Sequence, residues 1–190
     1  MHKTLREKTT FSGVDYSGKQ LSDSEFDGCK FNNCNFTKCD LSSSDFMDCI
    51  FENCDFSLVK FHNTGLKNIR FIGCKLLGID FSNCKDFLLS FYFEKSTLNY
   101  AAFHKKKIKN TVFKDCTIKE ADFSEADLTA SSFLNCDLSR AVFLNTILEK
   151  TDFRTAYNYS FDLELNRVKK AKFSASGIIG LLDKYQIIIE

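Results

Sequence analysis

Large apolar residues recur in this chain at every fifth position. The series runs Phe11, Tyr16, Leu21, Phe26, Phe31, Phe36, Leu41, Phe46, Phe51, Phe56, Phe61, Leu66, Phe71, Leu76 and Phe81. It resumes at Leu88 and continues through Phe93, Leu98, Phe103, Ile108, Phe113, Ile118, Phe123, Leu128, Phe133, Leu138, Phe143, Leu148 and Phe153. Leu163, Val168 and Phe173 keep the phase, with Asn158 the one gap. Of the 21 Phe residues, only Phe87, Phe91 and Phe161 fall outside these centres. A period of five is neither the 3.6 of a helix nor the 2 of a strand, so neither element can carry it at length.

The position two before each centre is the second signal. It is small or modestly apolar, as at Ser24, Val59, Thr64, Ala101, Ala121, Ala126 and Ala141, and it holds Cys29, Cys34, Cys39, Cys49, Cys54, Cys74, Cys116 and Cys136. The ninth cysteine, Cys84, keeps the phase although Asp86 stands where its centre is due. A small residue, one polar residue and a large apolar residue alternate like a short strand with one buried face. Two polar residues then turn the chain. No such unit buries its apolar face alone, so stability requires stacking into a solenoid.

Ala121-Asp122-Phe123-Ser124-Glu125, followed by Ala126-Asp127-Leu128-Thr129-Ala130, resembles the unit A-[D/N]-[L/F]-x-x of the pentapeptide-repeat family. The resemblance covers about residues 9–174. It implies an all-β solenoid, a right-handed quadrilateral parallel β-helix with four pentapeptides per coil and about 7–8 coils. On this reading residues 1–8 are an N-terminal cap or tail and residues 175–190 a C-terminal helix and strand. Residues twenty apart should then stack at about 4.8 Å. Phe93, Phe113, Phe133 and Phe153 would form one column and Phe103, Phe123 and Phe143 the opposite one, with Leu98, Ile118, Leu138 and Ile108, Leu128, Leu148 between them.

The register breaks once, because Phe81 and Leu88 are seven apart. Two residues are inserted within 84–88, as a bulge between stacked halves or as a bend with a binding role. Phe87, Leu89 and Tyr92 are expected to be partly exposed beside it. In the tail, Ile178, Leu181, Leu182 and Tyr185 have one-face helical spacing behind a possible Ser176 N-cap, and residues 186–190 read as a short strand. Such an apolar end needs cover, from the coil it caps or from a second copy.

The block Lys170-Ala171-Lys172-Phe173-Ser174 with this tail, and the segment Ser96 to Phe103, are similar to bacterial quinolone-resistance pentapeptide proteins of the Qnr and MfpA types. The resemblance implies a homodimer through the tail, with Ile178, Leu181, Leu182, Tyr185, Ile187, Ile188 and Ile189 in the interface. It also implies a rod that mimics B-form DNA and binds type II topoisomerases. This chain has no insertion long enough to match the surface loops of the Qnr type.

Chemistry is sparse. No C-x-x-C pair offers a metal site, and stacked cysteines hold their Cβ atoms parallel, so the thiols read as small core residues. His62 and His104 follow a centre and face outward, and His2 lies before the repeats; a convex rod offers them no cleft. No catalytic residue, metal or cofactor is expected. Gly177-Ile178-Ile179-Gly180 lacks the Lys-Ser/Thr of a phosphate loop. Lys19 and Lys106 fall at inward positions and should bulge outward or snorkel. The absence of a leader-like start and of any long apolar run points to a reducing cytoplasm.

The formal net charge of +1 conceals bands. Residues 11–56 carry nine acids and three bases, residues 57–114 three acids and eleven bases, and residues 115–165 ten acids and four bases. Removing the insertion places Asp23, Asp40, Asp80, Asp122, Glu125, Asp162 and Glu164 on one wall, against Lys19, Lys60 and Lys105. Duplex DNA carries about one charge per 1.7 Å, so only this wall, and not the whole rod, could imitate it. The leading expectation is a non-enzymatic dimeric rod whose acidic wall engages a DNA-binding protein. DNA gyrase or topoisomerase IV is the family-implied target, with Asp122, Glu125, Asp162 and Glu164 foremost. The alternatives are a scaffold or protein-interaction module, and direct nucleic-acid binding by Lys105 to Lys109 and Arg167 to Lys172.

Overall fold

The structure, a computed structural model, describes residues 4–188. Eleven short strands carry the extended segments: β1 (Thr4–Glu7), β2 (Thr10–Ser12), β3 (Ser24–Asp27), β4 (Lys30–Asn32), β5 (Asp45–Met47), β6 (Ile50–Glu52), β7 (Gly65–Lys67), β8 (Ile69–Ile72), β9 (Phe91–Glu94), β10 (Val112–Lys114) and β11 (Ser132–Leu134). They form two parallel sheets, one ordered β1-β3-β5-β7 and one β2-β4-β6-β8-β9-β10-β11. Two further ladders of parallel bridges run through Asp15, Asn35 and Asp55 and through Gln20, Asp40 and Lys60. Four walls therefore enclose the core of an all-β parallel solenoid.

The walls stand because the inward positions stack. Along the longest wall the rings of Phe11, Phe31, Phe51, Phe71, Phe93, Phe113, Phe133, Phe153 and Phe173 follow one another at 4.7–5.4 Å. Phe81, Phe103, Phe123 and Phe143 make a second column at 4.8–5.2 Å. Burying one such ring contributes about 1.5–3 kcal/mol, so the columns dominate stability. The smaller inward position also bonds between coils. Ser44 Oγ, Thr64 Oγ1, Thr146 Oγ1 and Thr151 Oγ1 donate at 2.8–2.9 Å to carbonyls 23 residues earlier. Cys49, Cys54 and Cys74 Sγ do the same at 3.3–3.4 Å. All nine cysteines are free and buried. Burial pushes the thiols of Cys49 and Cys84 up to about 12, so they stay protonated.

The corner residue two after a centre adopts positive φ almost throughout, from Gly13 (65°) and Asn33 (52°) to Tyr100 (60°) and Lys150 (59°). The residue before a centre is often Asp, and its carboxylate closes the turn. Asp15, Asp40, Asp55, Asp80, Asp122, Asp127, Asp137 and Asp152 each accept the backbone N–H two residues on, at 2.8–3.1 Å. The recurring Asp of the repeat is thus part of the turn itself.

Four expectations need correction. Leu88 is not an inward centre: it sits exposed at φ 55°, and Leu89 and Phe91 bury in its place. The insertion restarts the alternation one residue later, and Phe71 pairs Phe93 across it in unbroken register. Leu163 is likewise exposed, because Tyr159 and Phe161 turn inward and Phe161 packs 5.0 Å above Phe143. Lys106 does not escape to solvent; it is 5% exposed and ends on the Cys84 carbonyl at 2.7 Å and Asp86 at 2.6 Å. The tail forms two 3₁₀ turns, Gly177–Leu181 and Asp183–Tyr185, with no Ser176 side-chain cap. Gln186 then turns at φ 50°, and no strand follows through residue 188. Ile189 and Glu190 lie outside the described residues.

Candidate protein-binding surfaces

With the interior filled, chemistry is confined to outward side chains. Among the described residues no cluster of three or more His, Cys, Asp or Glu side chains is placed to hold a metal ion. Nor is any helix among them long and apolar enough to cross a membrane.

The expected acidic wall follows the column Phe61, Phe81, Phe103, Phe123 and Phe143. Bridges set Asp40 beside Lys60, and Asp80 beside Ala102, Asp122 and Val142 in turn. Acids therefore recur on every second coil, about 10 Å apart at the strand spacing. The Ser42 hydroxyl and N–H hold the Asp40 carboxyl below its ordinary value. Asp80 accepts from the Ser82 hydroxyl and N–H and from Asn83 Nδ2. Asp23 and Glu125 occupy positive-φ corners at 58° and 59°.

Toward the C-terminal end the acids meet cations of the same chain. Glu125 lies 3.7 Å from Lys105 Nζ and 3.8 Å from His104 Nε2. Lys184 reaches from the tail to Asp162 at 2.7 Å and Glu164 at 3.1 Å, and Asp162 raises the Lys184 ammonium above its usual range. Neither contact was legible in the sequence, because the tail does not follow the five-residue period. Val142 and Leu144 add exposed aliphatic surface to this wall. Within the Lys-rich stretches, Lys105, Lys106, Lys109 and Arg167 each pair with an acid from a neighbouring level.

The tail lies against the last coil. Gly177 and Gly180 pack where any Cβ would strike the Tyr159 hydroxyl at 2.1 Å or the Tyr159 carbonyl at 1.9 Å. Leu181 is 5% exposed and belongs to the chain's own core. Of the residues expected in a dimer interface, Ile178, Tyr185, Ile187 and Ile188 are exposed and Leu182 is half-buried. Ile189 lies outside the described residues.

The coil geometry agrees with comparisons to known proteins. The sequence matches the pentapeptide repeat region over residues 44–123 and pentapeptide repeats over 8–42, 24–63 and 121–157. No curated protein matches the sequence. Among solved structures, HetL, a pentapeptide repeat protein involved in heterocyst differentiation regulation from the cyanobacterium Nostoc sp. strain PCC 7120, superimposes with a TM-score of 0.74. It is 15% identical, over 90% of this chain and 86% of HetL. Full-length QnrB1, a plasmid-mediated fluoroquinolone resistance protein, superimposes with a TM-score of 0.57 at 17% identity, over 96% of this chain and 100% of QnrB1. These likenesses carry the fold, and the repeat matches place the chain in the pentapeptide-repeat family.

Proposed function

We propose that this protein is a non-catalytic, dimeric binding rod that engages a protein partner through its acidic wall. The observation that carries this reading is the alignment of Asp40, Asp80 and Asp122 on one wall, each carboxylate fixed by its own turn. A rigid array of negative charge suits the basic surface of a DNA-binding protein, since oriented charges steer encounter and fix register. QnrB1 is a fluoroquinolone resistance protein, which makes a type II topoisomerase, gyrase or topoisomerase IV, the first target to try. The test is gyrase supercoiling of relaxed plasmid, titrated with this protein with and without a fluoroquinolone. Rescue from the drug, or inhibition without it, supports the reading, and Asp80→Lys with Asp122→Lys should abolish the effect. No effect at high excess removes the topoisomerase target.

A second reading, an interaction module with no topoisomerase role, is favoured by the pairing of Glu125, Asp162 and Glu164 with Lys105 and Lys184. Those acids are spent within the chain, leaving a wall of mixed character. The supercoiling result separates the two.

Self-association through the tail rests on the exposed Ile178, Tyr185, Ile187 and Ile188, the last 89% exposed. Light scattering should give a dimer that Ile187→Glu with Ile188→Glu converts to monomer. Leu181 is unsuitable for that test, because a charge there would disrupt the core of its own chain.

A further inference from the structure

The sheet of β1, β3, β5 and β7 ends where the insertion begins. On its outer face, strand register lines side chains into two rows along the rod. One row runs Leu5, Glu25, Asp45 and Gly65 and the other Glu7, Asp27, Met47 and Lys67. Between Leu5 and Phe87 these rows enclose a trough of about 420 Å³. Elsewhere, contacts one coil apart join opposite charges, as in Lys75–Asp55, Lys105–Glu125, Lys114–Glu94 and Arg140–Glu120. Here Glu7 faces Asp27. Like charges in register are destabilising, so this pair departs from the opposite-charge pairings just named.

The insertion supplies the other half of the feature. Phe87 is 80% exposed and lines the trough's end. Both residues before it are tied down. Lys85 Nζ reaches Asp45 Oδ1 at 2.6 Å, and Asp86 Oδ1 meets the buried Lys106 Nζ at 2.6 Å. The first of these spans forty residues, two coils, and Gly65 in between keeps its path open: a Cβ at Gly65 would stand 2.3 Å from Asp45 Oδ1. The bulge thus holds an aromatic ring out in solvent from a base fixed by two ion pairs. Burying such a ring on a partner gains about 1.5–3 kcal/mol.

We propose that this trough docks an extended, cationic, amphipathic segment of a protein partner, with its Lys or Arg side chains over Glu7 and Asp27 and an apolar side chain against Phe87. The charge of the lining decides the chemistry, since four acids (Glu7, Glu25, Asp27, Asp45) stand against Lys67 and Lys85, both basic residues lying toward the Phe87 end. From β1 to the level of Lys85 is four strand steps, about 19 Å, which an extended segment of about six residues covers. The surface is separate from the acidic wall described above, so the supercoiling result does not bear on it.

The test is fluorescence anisotropy with two labelled hexapeptides, Lys-Leu-Lys-Phe-Lys-Leu and Glu-Leu-Glu-Phe-Glu-Leu. The cationic peptide should bind saturably and the acidic one should not. Phe87→Ala, and separately Glu7→Gln with Asp27→Asn, should each weaken binding on the order of tenfold, as removal of an anchor does. Asp115→Asn, an exposed corner after β10 on another wall, should leave affinity within about twofold. All these positions are on the surface, and circular dichroism confirms the fold of each variant. Absence of saturable binding by the cationic peptide overturns the proposal. So does an unchanged affinity for Phe87→Ala, or a loss from Asp115→Asn as large as that from the Glu7/Asp27 pair, which would mark diffuse attraction.

Discussion

The stretch before the insertion and the stretch after it use one repeat in two ways. Before it, the wall of Phe26, Phe46 and Leu66 is a hydrogen-bonded sheet, with Cys29, Cys49 and Ile69 at the corner that follows. After it, the same wall continues as Ile108, Leu128 and Leu148 in isolated bridges. Its corners are now tight turns, with Ser131 N–H bonded to the Leu128 carbonyl at 2.9 Å and Thr151 N–H to the Leu148 carbonyl at 3.1 Å. The interior changes in step. In the first part aromatic rings meet around the layer, as Phe46, Phe51 and Phe56 do at 5.7 and 5.1 Å. In the second, rings occupy opposite walls, as with Phe113 and Phe123 at 6.0 Å, and aliphatic columns separate them. The difference teaches that the five-residue period fixes which residues point inward, while the corner decides whether a wall is strand or turn.

The largest expected effect tests the two interiors directly. Phe51→Ala and Phe123→Ala should each cost about 3–5 kcal/mol in urea denaturation. Phe51 should cost more, because it touches rings on two neighbouring walls, Phe46 and Phe56, besides the stacked Phe31 and Phe71. Phe123 meets stacked Phe103 and Phe143 and, edge-on, Phe113 and Phe133 from the opposite wall only. Equal losses would mean that ring contacts around the layer add nothing beyond buried area.

Next in size is the junction. Lys106→Met keeps the packing volume but strips the donor from the Cys84 carbonyl and the partner from Asp86. A loss of about 1–3 kcal/mol in thermal denaturation is expected. A neutral result would show that the insertion is held by chain connectivity and not by these bonds.

The inward pattern was legible because each centre contributes a ring or branched aliphatic that solvent rejects, and period five survives any single exception. It failed at Leu88 and Leu163, where another apolar residue lay close by. Leu89 and Phe91 in one place, and Tyr159 and Phe161 in the other, offered the core an equal or larger side chain one to four residues away. Turn chemistry was hidden for a different reason. An Asp that caps its own turn and an Asp that faces a partner look the same in a string of letters. Lys106, Lys184 and the trough beside Phe87 depend on contacts twenty to forty residues apart, and only coordinates supply those.

The capped carboxylates give the pH prediction. Burial works against ionisation of Asp137, but hydrogen bonds from Ser139, Asn158 and Lys119 outweigh it and hold the carboxyl at about 2. Asp127 is lowered in the same way by Thr129 and Lys109, against its own burial. A carboxyl below its unfolded value of 3.8 stabilises the fold above that value, and the contribution disappears as pH falls toward 2. Asp137 contributes at most about 2 kcal/mol. The melting temperature should hold from neutral pH to about 4 and then fall. Hydrogen exchange at low pH should open the coils around Asp127 and Asp137 ahead of those around Phe31 and Phe51, where two of the four walls are paired strands. Simultaneous opening would mean that acid acts on the rod as a whole.

The smallest effect probes the corners. Before the insertion many positive-φ corners are Gly or Asn, such as Gly13, Gly73, Asn53 and Asn63; after it they include Tyr100, Glu120, Ala130 and Lys150. A side chain in the left-handed region costs roughly 1–2 kcal/mol, and glycine avoids this while losing about 0.5–1 kcal/mol of chain entropy. Ala130→Gly, at φ 59°, should therefore stabilise the protein by about 0.5 kcal/mol, a rise of one or two degrees in melting temperature. Gly73→Ala, at φ 64° with Asn53 Oδ1 2.4 Å from the new Cβ, should destabilise by about 1 kcal/mol. If Ala130→Gly instead lowers the melting temperature, the later corners are held by the coil above them, through bonds such as Ala130 N–H to the Glu149 carbonyl at 2.8 Å. Stacking would then select the left-handed corner whatever residue occupies it, and the first stretch would differ from the second in side chains alone.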